Sequence, residues 1–139
     1  KARKEGKENV ARLFAAASYA EQVHASAHLR TLKGVGSTAE NLAAAVAGEG
    51  FEVDEMYPAF IAVAEAQAER GAKNSFHKAV EAEKVHRAMY GAALQAVQSG
   101  GDASAGTIYV CPLCGFTMHG EAPDECPICN TPKERVHTF

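Results

Sequence analysis

Phe76-His77-Lys78-Ala79-Val80-Glu81-Ala82-Glu83-Lys84-Val85-His86 repeats an earlier stretch, Phe14…Ala20-Glu21-Gln22-Val23-His24. The offset is 62 residues, and the Phe-to-Glu spacing is seven in both copies. Glu-x-x-His on a helix puts a carboxylate and an imidazole one turn apart, facing the same way. The apolar stripe of each segment runs straight through the pair: Val10, Phe14, Ala17, Glu21, His24, His28 in the first, Phe76, Ala79, Glu83, His86, Tyr90 in the second. The segment between them contributes Leu42, Ala45, Glu49, Glu52 and Met56 at the same helical spacing. Ionisable groups thus stand where core residues belong. A buried carboxylate is costly unless paired or metal-bound. Glutamates from several helices on one core level would repel each other without cations between them. Two Glu-x-x-His motifs with glutamates from other helices are the donor set of a two-metal carboxylate site, iron or manganese, in a ferritin-like bundle.

Working outward, three helices are predicted: Glu8 to Leu32, ending before Gly34; Ser37 or Thr38 to about Arg70, with Gly71 as its stop; and Ala72 to Gln98. Pro58 lies inside the second and predicts a kink near Tyr57. Tyr57 is a candidate outer partner of the metal ligands, whereas Met56 and Tyr90 read as packing residues. His28 reads as a core or outer histidine, and His77, His119 and His137 as surface residues. The duplication implies two helical hairpins, and the first hairpin has only its second helix in residues 1–139. The expectation is a preceding helix of roughly 25 residues before Lys1, cleaved, lying outside residues 1–139, or supplied by another chain.

Residues 99–106, Ser-Gly-Gly-Asp-Ala-Ser-Ala-Gly, read as a linker between a helical domain, 1–98, and a small domain, 107–139. All four cysteines lie in the second: Cys111-Pro-Leu-Cys114-Gly115 and Cys126-Pro-Ile-Cys129-Asn130. Two C-x-x-C loops at this spacing predict one tetrahedral sulfur site. Gly115 and Asn130 each follow a second cysteine, where a left-handed backbone is needed. Spacing alone leaves iron and zinc open; beside a redox two-metal bundle, iron is the expectation, because zinc passes no electrons. With no cysteine left for a disulfide framework, a reducing compartment, by default the cytoplasm, is expected. The formal net charge of −3 gives no electrostatic footprint for nucleic acid. No apolar run is long enough for a membrane span.

Taken together, Ala20-Glu-Gln-Val-His24, Gly48-Glu-Gly-Phe-Glu52-Val-Asp-Glu-Met-Tyr-Pro58, Glu81-Ala-Glu-Lys-Val-His86 and the stretch from Tyr109-Val-Cys to Pro132-Lys-Glu resemble rubrerythrin. The likeness covers nearly the whole chain. It implies a mainly α fold, a ferritin-like four-helix bundle with three of its helices in this chain, plus a small rubredoxin-like four-cysteine β domain. It implies a non-haem di-iron peroxidase that reduces hydrogen peroxide to water and protects against oxidative stress. Its cofactors would be two iron ions, with or without an oxo bridge, and one iron in the four-cysteine site, where zinc is the alternative. Electrons would come from NADH through a reductase or rubredoxin.

By motif position, Glu21, Glu49 and Glu83 correspond to the family's bridging and terminal carboxylates, and His86 to its second histidine. His24 and Glu52 correspond to the pair that exchange at one iron. The four-cysteine iron would sit on Cys111, Cys114, Cys126 and Cys129. Head-to-tail pairing in the family implies a homodimer or higher homo-oligomer. The family's first helix, with a further glutamate and a tyrosine, has no counterpart in residues 1–139. Competing readings are a ferroxidase or iron-handling protein, a non-catalytic electron carrier, and a structural zinc ribbon.

Overall fold

A computed structural model describes residues 1–104 and 106–139; Ala105, within the expected linker, lies outside them. Residues Lys1–Ser37 form one compact unit and Thr38–Phe139 another.

The first unit is a short 3-10 turn, Arg3–Glu5, followed by α1, Glu8–Thr31. A single helix has no neighbour within its own unit on which to bury an apolar stripe. Accordingly no residue of α1 is buried, and Val10, Phe14 and Val23 are exposed rather than inward-facing. The helix ends where Lys33 turns left-handed (φ 53°) and Gly34 N–H returns to the Leu29 carbonyl at 3.0 Å. Lys33 N–H bonds Arg30 in the same way, so the orphan carbonyls of the last turn are satisfied.

In the second unit, α2 (Thr38–Phe51), α3 (Tyr57–Ala66) and α4 (Arg70–Gln98) pack together. Their core is made of small residues: Gly50, Ala64, Val80 and Ala82 are buried, which lets the helix axes approach closely. Between α2 and α3 the expected proline kink is instead a π turn, Glu52–Met56. Pro58 lacks an N–H and its ring crowds the carbonyl four residues back. The preceding turn widens to fit, and Tyr57 N–H bonds the Glu52 carbonyl five residues earlier. Arg87 on α4 braces this turn through Asp54 at 2.9 Å.

Gly71 is not the stop expected there. The chain turns at Ala68 (φ 56°), with Glu69 N–H on the Ala64 carbonyl and Ala68 N–H on Glu65, and Gly71 already lies in α4. Gly100 (φ 81°) closes α4 with the same bond pattern.

The four-cysteine segment is a small antiparallel sheet, β2–β1–β3, from β1 (Ile108–Val110), β2 (Thr117–His119) and β3 (His137–Thr138). Its buried residues are Cys111, Thr117, Met118, Ala122, Cys126 and Thr131. A segment this short cannot bury enough apolar surface to hold itself, and it is built around its sulfurs instead.

Candidate metal centres

In α2 and α4 the three-and-four spacing brings Glu49, Glu83 and His86 onto facing sides. Their ligand atoms all lie within 4.8 Å of one another. His86 Nδ1 is 2.8 Å from Glu83 Oε2 and 3.7 Å from Glu49 Oε1. All three residues are half-buried. The second carboxylate oxygen of Glu49, Oε2, is buried with no hydrogen-bond partner among the described residues. Burial pushes the Glu49 carboxyl above its ordinary range; the charge of Glu83 adds to this, His86 opposes it, and Glu52 adds to it again. An orphaned, desolvated oxygen facing a second carboxylate and an imidazole nitrogen is what a cation of high charge would satisfy.

Tyr57 stands beside this group. Its phenol is pushed up by burial, then by the charges of Glu83, Glu52 and Glu49. Phe60 and Phe76 wall its ring, with centroids 6.4 and 6.3 Å away. Glu52 is half-buried in the π turn. In the other unit, α1 places Glu21 and His24 on one face, with His24 Nδ1 3.4 Å from Glu21 Oε2 and both side chains exposed.

The cysteines form the second centre. Each knuckle repeats one pattern: Gly115 N–H bonds the Cys111 carbonyl at 2.9 Å and Cys111 N–H bonds Phe116, while Asn130 N–H bonds Cys126 at 2.8 Å and Cys126 N–H bonds Thr131. Gly115 (φ 76°) and Asn130 (φ 57°) are left-handed, as the sequence predicts. Cys111 Sγ and Cys129 Sγ are 3.4 Å apart, and Cys114 Sγ and Cys126 Sγ 3.6 Å. No disulfide joins them. A sulfur tetrahedron with metal bonds of about 2.3 Å has edges of about 3.8 Å, so the four sulfurs fit one ion.

Burial raises the Cys111 thiol, but the N–H of Leu113, the Thr131 hydroxyl and the N–H of Cys114 outweigh it and bring it down to about 6. Cys129 is lowered: burial opposes, and the hydroxyl and N–H of Thr131 prevail. Cys114 and Cys126 are pushed up, chiefly by burial. Crowded sulfurs that favour thiolate at some positions and resist it at others suit a shared cation.

Two threonines carry no motif, yet one touches each centre. Thr131 Oγ1 lies 3.1 Å from Cys129 Sγ. Thr117 Oγ1 lies 2.7 Å from His86 Nε2 and donates to the Gly115 carbonyl at 3.3 Å. Only their places in and just after the knuckles hinted at a role.

Comparison with known proteins finds relatives over both the helical and the four-cysteine parts of the chain. A family model described as Rubrerythrin matches residues 1–94, and one described as Rubrerythrin, rubredoxin-like domain, matches 109–136. Rubrerythrin-2 of Clostridium acetobutylicum is 35% identical over 145 residues, covering 94% of this chain and 79% of that protein. Nigerythrin of Nitratidesulfovibrio vulgaris is 33% identical over 152 residues, covering 99% of this chain and 74% of that protein. A solved structure of nigerythrin in a partially reduced state superposes with a TM-score of 0.66 at 32% identity, covering 99% of this chain and 74% of that one.

Proposed function

Because the chain belongs to the rubrerythrin family, we propose that it is a non-haem di-iron peroxidase, reducing hydrogen peroxide to water with electrons delivered through its four-cysteine iron. Iron is the cofactor at both centres, and the chain is an oxidoreductase with ferritin-like helices and a rubredoxin-like four-cysteine segment. The observation that carries the peroxidase reading is the orphaned Glu49 Oε2 beside Glu83 and His86. A buried carboxylate oxygen left without a partner calls for an explanation, and a bound cation supplies one.

Glu49, Glu83 and His86 would hold a ferrous pair, which when bound would supply the two electrons that, with two protons, turn one peroxide into two waters. The side chains do the rest. Glu49, Glu83 and His86 would hold the charge, and burial shields Glu49 Oε2 from water. The raised Tyr57 phenol keeps its proton at neutral pH and can donate a hydrogen bond beside the carboxylates. By motif position alone, Glu21, His24 and Glu52 are further iron ligands, with His24 and Glu52 as the exchanging pair. Functionally the chain divides into a di-iron part, 1–98, a linker, 99–106, and an electron-entry part, 107–139. Its external partners are an NADH-fed reductase or rubredoxin, and it acts as a homodimer or larger homo-oligomer in defence against oxidative stress.

The test is anaerobic peroxide consumption fed by NADH and a reductase. The parent should turn over. Glu83→Ala should not, and His24→Ala should be slowed with its four-cysteine centre intact. A parent that consumes no peroxide, or that releases dioxygen from it, contradicts the assignment.

A further inference from the structure

His86 has two ring nitrogens and the structure gives each a different neighbour. Nδ1 faces the carboxylates, 2.8 Å from Glu83 Oε2. Nε2 faces the knuckle, 2.7 Å from Thr117 Oγ1. A neutral imidazole carries one proton, so the partner of one nitrogen decides what the other can do. For Nδ1 to offer its lone pair to a metal, the proton must sit on Nε2 and be accepted there.

A threonine hydroxyl has one proton to give and lone pairs to accept with. Thr117 can accept from Nε2–H only if its own proton goes elsewhere. The structure supplies that place: Thr117 Oγ1 donates to the Gly115 carbonyl. Gly115 is the left-handed residue directly after Cys114, and its N–H is pinned to the Cys111 carbonyl. Thr117 itself is buried, 6% exposed, in β2 opposite Val110. Water is therefore poorly placed to replace its hydroxyl. With the proton on Nε2, a relay can run from His86 Nε2–H to Thr117 Oγ1 to the Gly115 carbonyl.

Resting on the reading of Glu49, Glu83 and His86 as metal ligands, we infer that Thr117 is a positioning residue: its hydroxyl selects the Nε2-protonated ring of His86 and orients Nδ1 toward the carboxylates. It also makes the cysteine knuckle a structural partner of the helical centre, since the acceptor that frees the hydroxyl is the peptide carbonyl following Cys114. Valine at this position keeps the shape and removes the relay; serine keeps the relay.

The experiment uses the full chain and three proteins: parent, T117V and T117S. Ferrous-ion affinity of the helical centre is measured by competition with a chromogenic chelator. The His86 ring is read separately by long-range nitrogen–proton NMR in the zinc-loaded, diamagnetic chain. Loss of an outer hydrogen-bond partner of a metal-bound histidine costs about 10–100-fold in affinity. The expected result is a loss in that range for T117V, with mixed ring tautomers. T117S should stay within a few-fold of the parent, with Nε2 protonated.

The thiolate–iron absorption reports on the knuckle. If valine reduces it, T117A makes the same comparison with a smaller side chain. Parent-like affinity together with a parent-like ring spectrum in the hydroxyl-free variant overturns the positioning role and leaves the di-iron reading standing. A parent whose helical centre binds no metal overturns both.

Discussion

Glu83 and His86, one turn apart on α4, meet at 2.8 Å between Oε2 and Nδ1, directly across from Glu49 Oε1, which lies 3.7 Å from the same nitrogen. Two carboxylates and an imidazole gathered this closely form the proposed helical metal centre. Replacing His86 with alanine removes a donor outright. The expected loss of metal affinity exceeds the roughly 10–100-fold typical of outer partners. The thiolate–iron absorption should persist, since the cysteine site keeps all its ligands. Metal analysis beside the visible spectrum checks both halves of the expectation.

Glu49 should trade stability for metal. Its carboxyl is pushed above the ordinary 4.5, first by burial and next by Glu83. The folded chain therefore favours the protonated form more than the unfolded chain does. The sign follows: ionising Glu49 costs the metal-free fold stability at neutral pH, and that cost fades as pH falls through the raised value toward 4.5. Glu49→Gln should accordingly raise the melting temperature of the metal-free chain at pH 7, each kcal/mol gained reading out as about 4 °C. The advantage should shrink in acid. The same variant should lose metal at the helical centre. Thermal melts of chelator-treated parent and variant at neutral and acid pH decide it.

Thr131 should tune the cysteine iron. Its hydroxyl lies 3.1 Å from Cys129 Sγ and can donate to the thiolate. Such a bond favours the more negative, reduced site, so Thr131→Val should lower the reduction potential, by an amount on the order of tens of millivolts. Thr131→Ser should restore most of it. Potentiometric titration at the thiolate–iron band gives the answer.

Metal removal should affect the two parts of the chain unequally. Cys111 and Cys126 are each 1% exposed and form much of the small sheet's interior. Stripping the metal, or introducing Cys126→Ser, should unfold residues 107–139 while α2–α4 keep their helicity. Far-ultraviolet circular dichroism should change little, and amide exchange should accelerate only in the small sheet.

Much of this was legible in the residues themselves. Period-3.6 stripes located α1 and α4, and the paired C-x-x-C loops located the sulfur cluster down to the left-handed Gly115 and Asn130. Glu49, Glu83 and His86 could be named because an acidic residue on an apolar stripe demands a reason. Other features leave no such mark. Pro58 signals a disturbance, but whether the helix bends or widens depends on where the freed carbonyls find partners; here Tyr57 N–H reaches Glu52 and the turn becomes π. Gly71 looked like a helix stop, yet Ala68 took the left-handed position against its intrinsic preference, in a turn closed by local bonds from Ala68 N–H to Glu65 and Glu69 N–H to Ala64. The α1 stripe that carries Glu21 and His24 has nothing to pack on within its own unit, which periodicity cannot foresee. Thr117 and Thr131 belong to no pattern, because a single hydroxyl acquires its meaning only from what the fold sets against it.

The most direct test titrates the anaerobically reduced, iron-loaded chain with hydrogen peroxide while following the thiolate–iron absorption and dissolved oxygen. The account predicts that each peroxide withdraws two electrons, that the thiolate–iron colour returns, and that no dioxygen is evolved. A reduced chain that stays colourless under excess peroxide, or that recovers its colour equally well with Glu49, Glu83 and His86 all replaced by alanine, would contradict it.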